Sequence, residues 1–283
     1  MPSFANLMNV VLGYGTSTEA REGDGYRRPC ATISYGEHPL QALDLHLHPD
    51  GAPRPLLAFL HGGAWQFGDK TRRLKDGKAP FAHVEGWHFA SLNFRLVPEV
   101  DVSEMARDAA AAVAALVTRA DEFGVSRERI VLMGHSSGAH LAALVASDPA
   151  LLEAHGLAPR DLAGVIANDG AAYLASEPST ASGFLRRRLL DPAFAGADLE
   201  ALSPVRHIKS GGSYPDFLIL HGGAHPISLQ AILLEGALLE AGGNACRHAF
   251  PGKGIVNHMR LSRHFGRAGF GPTEAARAWL QGR

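Results

Sequence analysis

A serine flanked by two glycines is the residue of this chain best suited to covalent chemistry. Ser136 stands in the segment Gly-His-Ser-Ser-Gly at 134–138, directly after an apolar run and directly before an alanine-rich run. Where a strand turns sharply into a helix, glycines two residues before and after the serine keep side chains away from the neighbouring backbone. The segment therefore predicts a nucleophilic serine whose Oγ is exposed at the carboxyl edge of a sheet.

A second glycine segment, His-Gly-Gly-Ala-Trp at 61–65, follows another apolar run. When a serine attacks a carbonyl group, negative charge develops on the carbonyl oxygen, and preorganised backbone N–H groups stabilise it. We predict an oxyanion hole formed by N–H groups of Gly62, Gly63 or Ala64. The N–H of Ser137 is expected to join them, because it lies at the N-terminus of the helix behind the nucleophile.

A base is expected late in the chain, because folds with such a serine turn place nucleophile, acid and base in that order. The glycine-containing segment 251–257 follows the last predicted strand and leads to His258. His248 lies within that strand, and His264 lies well inside the next helix. His258 is therefore the predicted base.

The elements that must position these residues follow from hydrophobic period and from turn residues. Short apolar runs alternate with longer helical stretches, which is typical of a mostly parallel sheet covered by helices. Helices are predicted over 103–123, with Asp101 or Ser103 as N-cap and Gly124 at its end, and over 137–146. The predicted strands are 31–35, 42–48, 55–61, 88–96, 129–134, 162–168, 217–221 and 245–250.

The stretch 171–214 interrupts this alternation, and several prolines lie within it. We interpret it as an insertion over the strand ends, a lid or cap that shapes the substrate pocket; a plain surface excursion is the alternative. The 283 residues are most simply one domain. Candidate pocket residues are Trp65, Phe67, His135, Tyr173 and Phe184.

Composition limits the partners of the protein. The formal net charge of −1 gives no long-range field that would favour nucleic acid or an anionic membrane, so a small molecule is the expected partner. Two cysteines suggest no disulfide framework and fit a cytoplasmic location. Residues 1–12 have no basic region and only a short apolar stretch, so neither a signal peptide nor a membrane span is expected there.

Metal binding is not expected from the histidines, although the chain has 15 of them. No His-Glu-x-x-His pair is present. His46 and His48 alternate along a predicted strand, and we interpret them as part of a solvated strand face. The predicted chemistry needs neither a metal nor an organic cofactor.

Taken together, the motifs resemble the α/β-hydrolase superfamily, in particular the hormone-sensitive-lipase-like carboxylesterases and their arylformamidase (kynurenine formamidase) relatives. The resemblance implies an α/β-hydrolase fold with a mostly parallel eight-stranded sheet flanked by helices. In that family an Asn-Tyr-Arg-Leu segment supports the oxyanion loop, whereas here Phe94 replaces the tyrosine. The segments that carry the resemblance are 61–65, 68–70, 93–99, Asp108, 134–141, 203–204 and 214–222.

The acid departs from the family pattern, which places an aspartate in the loop after the seventh strand. His225 occupies that position here, and no aspartate follows residue 217. Asp169, after the sixth strand, is one alternative acid. A Ser136–His258 dyad assisted by His225 or water is a second interpretation, and a weakened enzyme with a relaxed or introduced His225 is a third.

These residues favour a serine hydrolase of carboxylic esters with small acyl groups. An arylformamidase or other amidase of the same fold is the first alternative. A binding protein that retains the fold without turnover is the second, because His225 fills the usual acid position. The sequence also leaves open a homodimer formed through an exposed edge strand.

Overall fold

The apolar runs of the sequence form one eight-stranded sheet in a computed structural model that describes residues 29–71, 77–177, 187, 190–223 and 227–283. The strands are β1 Ala31–Ser34, β2 Ala42–His46, β3 Arg54–Leu60, β4 His88–Leu92, β5 Val125–His135, β6 Gly164–Asn168, β7 Asp216–Gly222 and β8 Ala245–Phe250. Their order across the sheet is β1-β2-β4-β3-β5-β6-β7-β8. The pairs β1–β2 and β2–β4 are antiparallel, and all other pairs are parallel. The predicted mostly parallel eight-stranded α/β-hydrolase sheet is therefore confirmed.

Helices of the described residues cover both faces of the sheet. They are α1 Lys78–Val84, α2 Val102–Thr118, α3 Ser137–Ser147, α4 Pro149–Glu153, α5 Asp191–Ala193, α6 Pro204–His207, α7 Ile227–Glu240, α8 Gly254–Arg263 and α9 Gly271–Leu280.

The central strands alternate their side chains between two apolar clusters. Leu56, Ala58 and Leu60 of β3 belong to the cluster covered by α2 and α3, whereas Leu57 and Phe59 belong to the cluster under α1 and α9. Because both faces of a parallel sheet are covered, its strands are apolar along their whole length. This burial explains why the strand positions were readable from the sequence.

Most strand boundaries differ from the prediction by no more than two residues, and two differ by four residues for local reasons. β4 ends at Leu92 and not at residue 96, because the Asn93 side chain turns into a hydrogen-bond network with Asp69 and Lys70. β5 begins four residues before the predicted start, because Val125 pairs with Arg54 of β3 before the strand becomes apolar. Parallel pairing thus extends a strand through a polar, exposed segment that hydrophobic periodicity misses.

The predicted helix over 103–123 is shorter in the structure. α2 begins after Asp101, whose side chain accepts a hydrogen bond from the N–H of Glu104 at 2.9 Å. The helix ends at Thr118, and a separate 3₁₀ turn follows at Asp121–Phe123. Gly124 closes that turn with a φ of 66°, the left-handed conformation that glycine adopts readily.

The interpretation of His46 as part of a solvated strand face is wrong. His46 is buried, its ring lies 6.0 Å from that of Phe89, and its carbonyl oxygen is contacted by Nε2 of His83 at 3.2 Å. Burial lowers the pKa of His46 to about 4. Within the described residues, no group of three or more histidine, cysteine or acidic side chains could hold a metal ion.

The described parts of 171–214 consist of turns and two short helices, α5 and α6, that lie against the sheet domain. The N–H of Val205, in α6, donates to the carbonyl oxygen of Tyr173 at 3.0 Å. A lid or cap role for this insertion, and a single domain over the whole chain, stay predictions. None of the described helices is long and apolar enough to cross a lipid bilayer.

Candidate active site

Ser136 occupies a strained turn between β5 and α3. Its φ of 56° and ψ of −122° lie in a region that non-glycine residues rarely adopt. A Cβ at Gly134 would lie 2.1 Å from the carbonyl oxygen of Gly138, and a Cβ at Gly138 would lie 2.2 Å from that of Leu60. Only glycine fits at both positions, so the Gly-x-Ser-x-Gly spacing is a packing requirement of this turn.

His258 and Asp169 are in direct contact. Nδ1 of His258, on α8, lies 2.6 Å from Oδ2 of Asp169, which follows β6. Because a carboxylate accepts hydrogen bonds, Nδ1 is the donor, and in the neutral ring Nε2 is left as the acceptor. This is the tautomer that a general base requires at Nε2.

Asp169 is itself held by the backbone. Its second oxygen, Oδ1, accepts the N–H of Gly222 at 2.7 Å, and its own N–H donates to the carbonyl oxygen of Leu220 at 2.7 Å. The residue has a φ of 51° and a side-chain exposure of 1%. The carboxylate is therefore fixed between the ends of β6 and β7 and points at α8.

Two residues at strand ends, Asn168 of β6 and His135 of β5, join the nucleophile turn to the helix of His258. The carbonyl oxygen of Asn168 accepts the N–H of Ser136 at 3.1 Å, and its side-chain Nδ2 donates to the carbonyl oxygen of Leu261 in α8 at 3.0 Å. His135 contacts the carbonyl oxygen of His258 through Nε2 at 3.1 Å, and the two rings lie 4.6 Å apart. Buried polar groups at the strand ends thus hold the nucleophile turn and α8 together.

The segment 61–65 passes directly beside the serine. A Cβ at Gly62 would lie 3.1 Å from Cβ of Ser136 and 2.9 Å from Nδ1 of His135. Gly63 has a φ of 150°, and Ala64 and Trp65 have φ values of 52° and 61°. The five non-glycine residues with positive φ in the described chain are Ala64, Trp65, Ser136, Asp169 and Ala172, so backbone strain gathers at this edge of the sheet.

A buried polar network supports this loop from behind. Asn93 donates through Nδ2 to Asp69 at 2.9 Å and accepts the N–H of Lys70, while the ammonium of Lys70 lies 2.7 Å from the buried Asp44. Burial alone would raise the pKa of Asp69, but the hydrogen bonds from Asn93 and Thr71 outweigh it and lower the pKa. The network fixes the chain just after the loop.

A second ion pair lies farther along the same segment. Arg95 binds Asp108 through Nε at 2.8 Å and Nη2 at 2.7 Å, and its N–H donates to the same carboxylate. Burial would raise the pKa of Asp108, but these bonds from Arg95 and one from Gln41 lower it. Phe94, between the two networks, stacks on the ring of His61 at 4.4 Å.

Two predicted pocket residues are packing residues. Trp65 is buried, donates through Nε1 to Nδ1 of His140 at 3.2 Å, and packs edge-on against Phe194. His140 in turn donates through Nε2 to the carbonyl oxygen of Leu202 at 2.8 Å. Tyr173 is also buried, with its hydroxyl packed against Gly170. These side chains fasten the insertion to the sheet and are not exposed to a pocket.

The other predicted residues differ in what the structure says of them. His135 is buried beneath His258 and does not line an open pocket, whereas Phe67 is partly exposed. Ser137 is the first residue of α3, where an N–H has no acceptor in the preceding turn of its own helix. His225 and Phe184 lie outside the described residues.

A family model named BD-FAE matches residues 43–231, which include β2 to β7 and the whole serine turn. The chain belongs to the BD-FAE family. A probable isoprenylcysteine alpha-carbonyl methylesterase of Oryza sativa is 33% identical over 160 residues, which cover 54% of this chain and 33% of that protein. The chain thus spans about a third of the length of such curated relatives.

Solved structures share the fold of this BD-FAE family member at low identity. A truncated carbohydrate esterase from gut microbiota has a TM-score of 0.73 at 18% identity, covering 93% of this chain and 99% of that one. Esterase B from Lactobacillus Rhamnosis (HN001) has a TM-score of 0.71 at 19% identity, covering 98% of this chain and 89% of that one. The similarity establishes the α/β-hydrolase fold.

Sequence reasoning did not find two polar residues that hold this BD-FAE site together. Asn168 was visible only as the polar end of an apolar strand. Lys78, fully buried, donates through Nζ to the carbonyl oxygen of Ser262 at 2.8 Å, in the last turn of α8. A cation is favourable there because carbonyl groups carry partial negative charge at a helix C-terminus. Its sequence signal, a lysine beside apolar residues, is too common to single it out.

Proposed function

We propose that this protein is a serine hydrolase of carboxylic esters with small acyl groups. The observation that carries the proposal is the 2.6 Å contact between Asp169 and His258, on helix α8, near a serine in a strained strand-to-helix turn. A serine, a histidine with a defined tautomer and a buried carboxylate are the parts that acyl transfer needs. The names of curated relatives, including the methylesterases, support an ester as the substrate.

In the proposed mechanism Oγ of Ser136 attacks the ester carbonyl carbon while Nε2 of His258 takes the hydroxyl proton. The negative charge moves to the carbonyl oxygen, where N–H groups of Gly62, Gly63 or Ala64 and of Ser137 stabilise it. The C–O bond to the leaving alcohol breaks, and His258 returns the proton to that oxygen. Water, deprotonated by the same histidine, then releases the acid from Ser136.

Asp169 has two roles in this proposal. It holds the imidazole of His258 in the Nδ1–H tautomer, and its negative charge stabilises the imidazolium that forms during attack. A complete set of three residues argues against a non-catalytic binding protein, because a protein that had lost turnover would have no need for this arrangement. The role that the family gives to the position of His225 is thereby assigned to Asp169.

Hydrolysis of p-nitrophenyl acetate and butyrate tests the proposal. We expect turnover by the wild-type protein and a loss of about 10⁶-fold in kcat for Ser136→Ala, as for nucleophile removal in serine proteases. Ser34→Ala, at an exposed serine on the edge strand β1, is the matched control and should keep wild-type rates. Equal rates for wild type and Ser136→Ala would contradict the nucleophile assignment.

An aryl formamide should be assayed beside the esters, because the amidase alternative uses the same residues. We expect kcat/KM to be higher for the esters, and higher for acetate and butyrate than for long-chain esters. A preference for the formamide would replace the ester assignment while leaving the triad intact. A cytoplasmic location stays a prediction.

A further inference from the structure

The C-terminal part of the chain is basic although the whole protein is almost neutral. Residues 241–273 contain Arg247, Lys253, Arg260, Arg263 and Arg267 and no aspartate or glutamate, whereas the formal net charge of the chain is −1. A net charge near zero therefore conceals a local excess of positive charge. Helix α8, which carries His258, lies in the middle of this segment.

Four of these cations are exposed and have no carboxylate partner in the part of the chain that the structure describes. Arg247 is paired with Glu235, but Lys253, Arg260, Arg263 and Arg267 lie within 4 Å of no carboxylate oxygen among the described residues. Three arginines elsewhere on the surface are paired, Arg119 with Glu122, Arg127 with Asp121 and Arg107 with Glu104. Within the described residues, the positive charge of Lys253, Arg260, Arg263 and Arg267 is thus not compensated by a neighbouring carboxylate.

The same helix exposes apolar side chains. Val256 is 79% exposed and Ile255 is 36% exposed, both in the first turn. Lys253, Val256, Arg260 and Arg263 follow one another at spacings of three and four residues, which places them in one stripe on the outer side of the helix. We call this stripe, together with Arg267 just after the helix, the basic face of α8.

The opposite side of α8 is anchored, so the basic face has a fixed orientation. Asn257 and Leu261 are buried, and the carbonyl oxygen of Leu261 accepts a hydrogen bond from Asn168. Glu274, on the neighbouring helix α9, is bound by Arg277 and by the N–H of Gly269. Its carboxylate therefore does not neutralise the basic face.

We propose that the basic face of α8 binds the surface of an anionic phospholipid membrane. Cations attract anionic headgroups, and exposed apolar side chains between them enter the boundary between headgroups and acyl chains. Val256 lies between Lys253 and Arg260 in the stripe, as this mode of binding requires. A nucleic acid would use the cations through its phosphate groups but would leave Val256 and Ile255 exposed to water.

Membrane binding would bring the candidate active site close to ester substrates at a lipid surface. Val256 is two residues from His258, so the exposed apolar part of the basic face lies beside the proposed base. This consequence for substrates rests on the proposed function. The binding itself does not, because none of the residues of the basic face belongs to the proposed catalytic machinery.

Vesicle flotation tests the proposal with phosphatidylcholine vesicles that contain or lack phosphatidylglycerol. We expect wild-type protein and Ser136→Ala to float only with the anionic vesicles, and the binding to weaken strongly between about 0.1 M and about 1 M salt. The triple variant Arg260→Gln, Arg263→Gln, Arg267→Gln should bind about 100-fold more weakly, since each cation near the surface contributes about fivefold. Val256→Ser should bind several-fold more weakly.

Two controls match these variants. The triple variant Arg107→Gln, Arg119→Gln, Arg127→Gln removes three exposed arginines from ion pairs, and Val84→Ser changes an apolar residue that is 78% exposed on α1. Both should bind vesicles within about twofold of wild type. Val256→Ser, Val84→Ser and the two triple variants should hydrolyse soluble p-nitrophenyl acetate at the wild-type rate, which shows that the fold and the site are intact.

Absence of flotation with anionic vesicles would overturn the proposal, as would an equal loss of binding in the two triple variants. Binding to heparin or RNA without binding to vesicles would also overturn it, in favour of a soluble polyanion. Failure of the proposed function would look different, because Ser136→Ala and wild type would then both float and neither would hydrolyse the ester.

Discussion

The two halves of the candidate site are held in different ways. The nucleophile side is formed by the ends of β3 and β5 and the start of α3, and its closest contacts are between backbone atoms. A Cβ at Gly138, for example, would lie 2.2 Å from a carbonyl oxygen. On the acid side, formed by the loops after β6, β7 and β8, side chains make the contacts. A Cβ at Gly222 would meet the side-chain amide of Asn257 at 2.9 Å.

This difference explains which half of the site tolerates a change in the residues that form it. A turn built from backbone contacts accepts no substitution, since a strand or helix would have to move. A contact between side chains at loop ends needs only one carboxylate within reach of one imidazole. The acid can therefore be supplied from the end of β6, by Asp169, while the position after β7 holds His225.

Apart from removal of the nucleophile itself, the largest effect is expected on the acid side. Asp169→Asn should lower kcat by about 10⁴-fold, as the equivalent change does in the serine-protease triad, because the wrong His258 tautomer is then favoured. Asparagine tolerates the φ of 51° and keeps an oxygen for the N–H of Gly222, so the melting temperature should change little.

His225→Asp is the companion to that experiment in the same ester assay. We expect it to leave kcat within a few-fold of wild type, because Asp169 already holds His258. An unchanged kcat in Asp169→Asn together with a strongly raised kcat in His225→Asp would mean that the catalytic triad of this protein is disabled.

The next largest effect is expected from adding a methyl group on the nucleophile side. Gly138→Ala should lower the free energy of unfolding by about 3 kcal/mol, because its Cβ meets the carbonyl oxygens of Leu60 and His61. Gly236→Ala, in the middle of α7, is the control: nothing lies within 4 Å of that Cβ, so a gain of about 0.5 to 1 kcal/mol is expected. Chemical denaturation measures both, and an equal response would contradict the packing argument.

A fall in pH should lower the stability of the fold through protonation of His140, which lies on the nucleophile side. Burial lowers the pKa of this residue to about 4, and its Nδ1 accepts a hydrogen bond from Trp65 that protonation would break. The unfolded chain, with a histidine pKa of about 6.5, binds the proton first as the pH falls. Stability is therefore complete above about pH 6.5 and is lost towards pH 4, by about 2 kcal/mol at pH 5.

His140→Gln isolates this contribution, because glutamine can keep both hydrogen bonds without titrating. The fall in unfolding free energy between pH 7 and pH 5 should be smaller in the variant by about 2 kcal/mol. His46, with its pKa also lowered to about 4, should account for part of the remainder. An identical pH dependence in wild type and variant would show that His140 does not titrate as inferred.

The smallest effect should follow from a methyl group on the acid side. Gly222→Ala should cost about 1 kcal/mol of stability, since the Asn257 side chain can turn away from the new Cβ. The rate of ester hydrolysis should fall by less than about 100-fold, because His258 moves by less than about 1 Å. A loss of unfolding free energy as large as that of Gly138→Ala would contradict the proposed difference between the two sides.

Much of the nucleophile side was predictable from the sequence, because its requirements are local. The glycines around Ser136 and in 61–65 mark the positions where the backbone comes too close for a side chain, and the apolar runs mark buried parallel strands. The role of Trp65, in contrast, depends on contacts that are not local in the sequence. Its partners, His140 and Phe194, are distant in sequence, so a pocket role and a packing role look alike there.

The acid side could not be settled by spacing alone. Asp169 and His258 are separated by 89 residues, and their contact depends on how far the loops after β6 and β8 extend. The sequence identified Asp169 as one of three interpretations without a means to choose among them. Asn168, which ties Ser136 to α8, was missed because a buried asparagine at a strand end has no distinctive pattern.

The hydrogen bond between His258 and Asp169 can be observed directly by proton NMR. A proton held between Nδ1 and a carboxylate oxygen 2.6 Å apart should resonate far downfield of the amide protons once Ser136 carries a phosphonate ester and the imidazole is protonated. We predict that this resonance is present in the wild-type protein and in His225→Gln and absent in Asp169→Asn. Its survival in Asp169→Asn, or its loss in His225→Gln, would contradict the assignment of Asp169 as the acid.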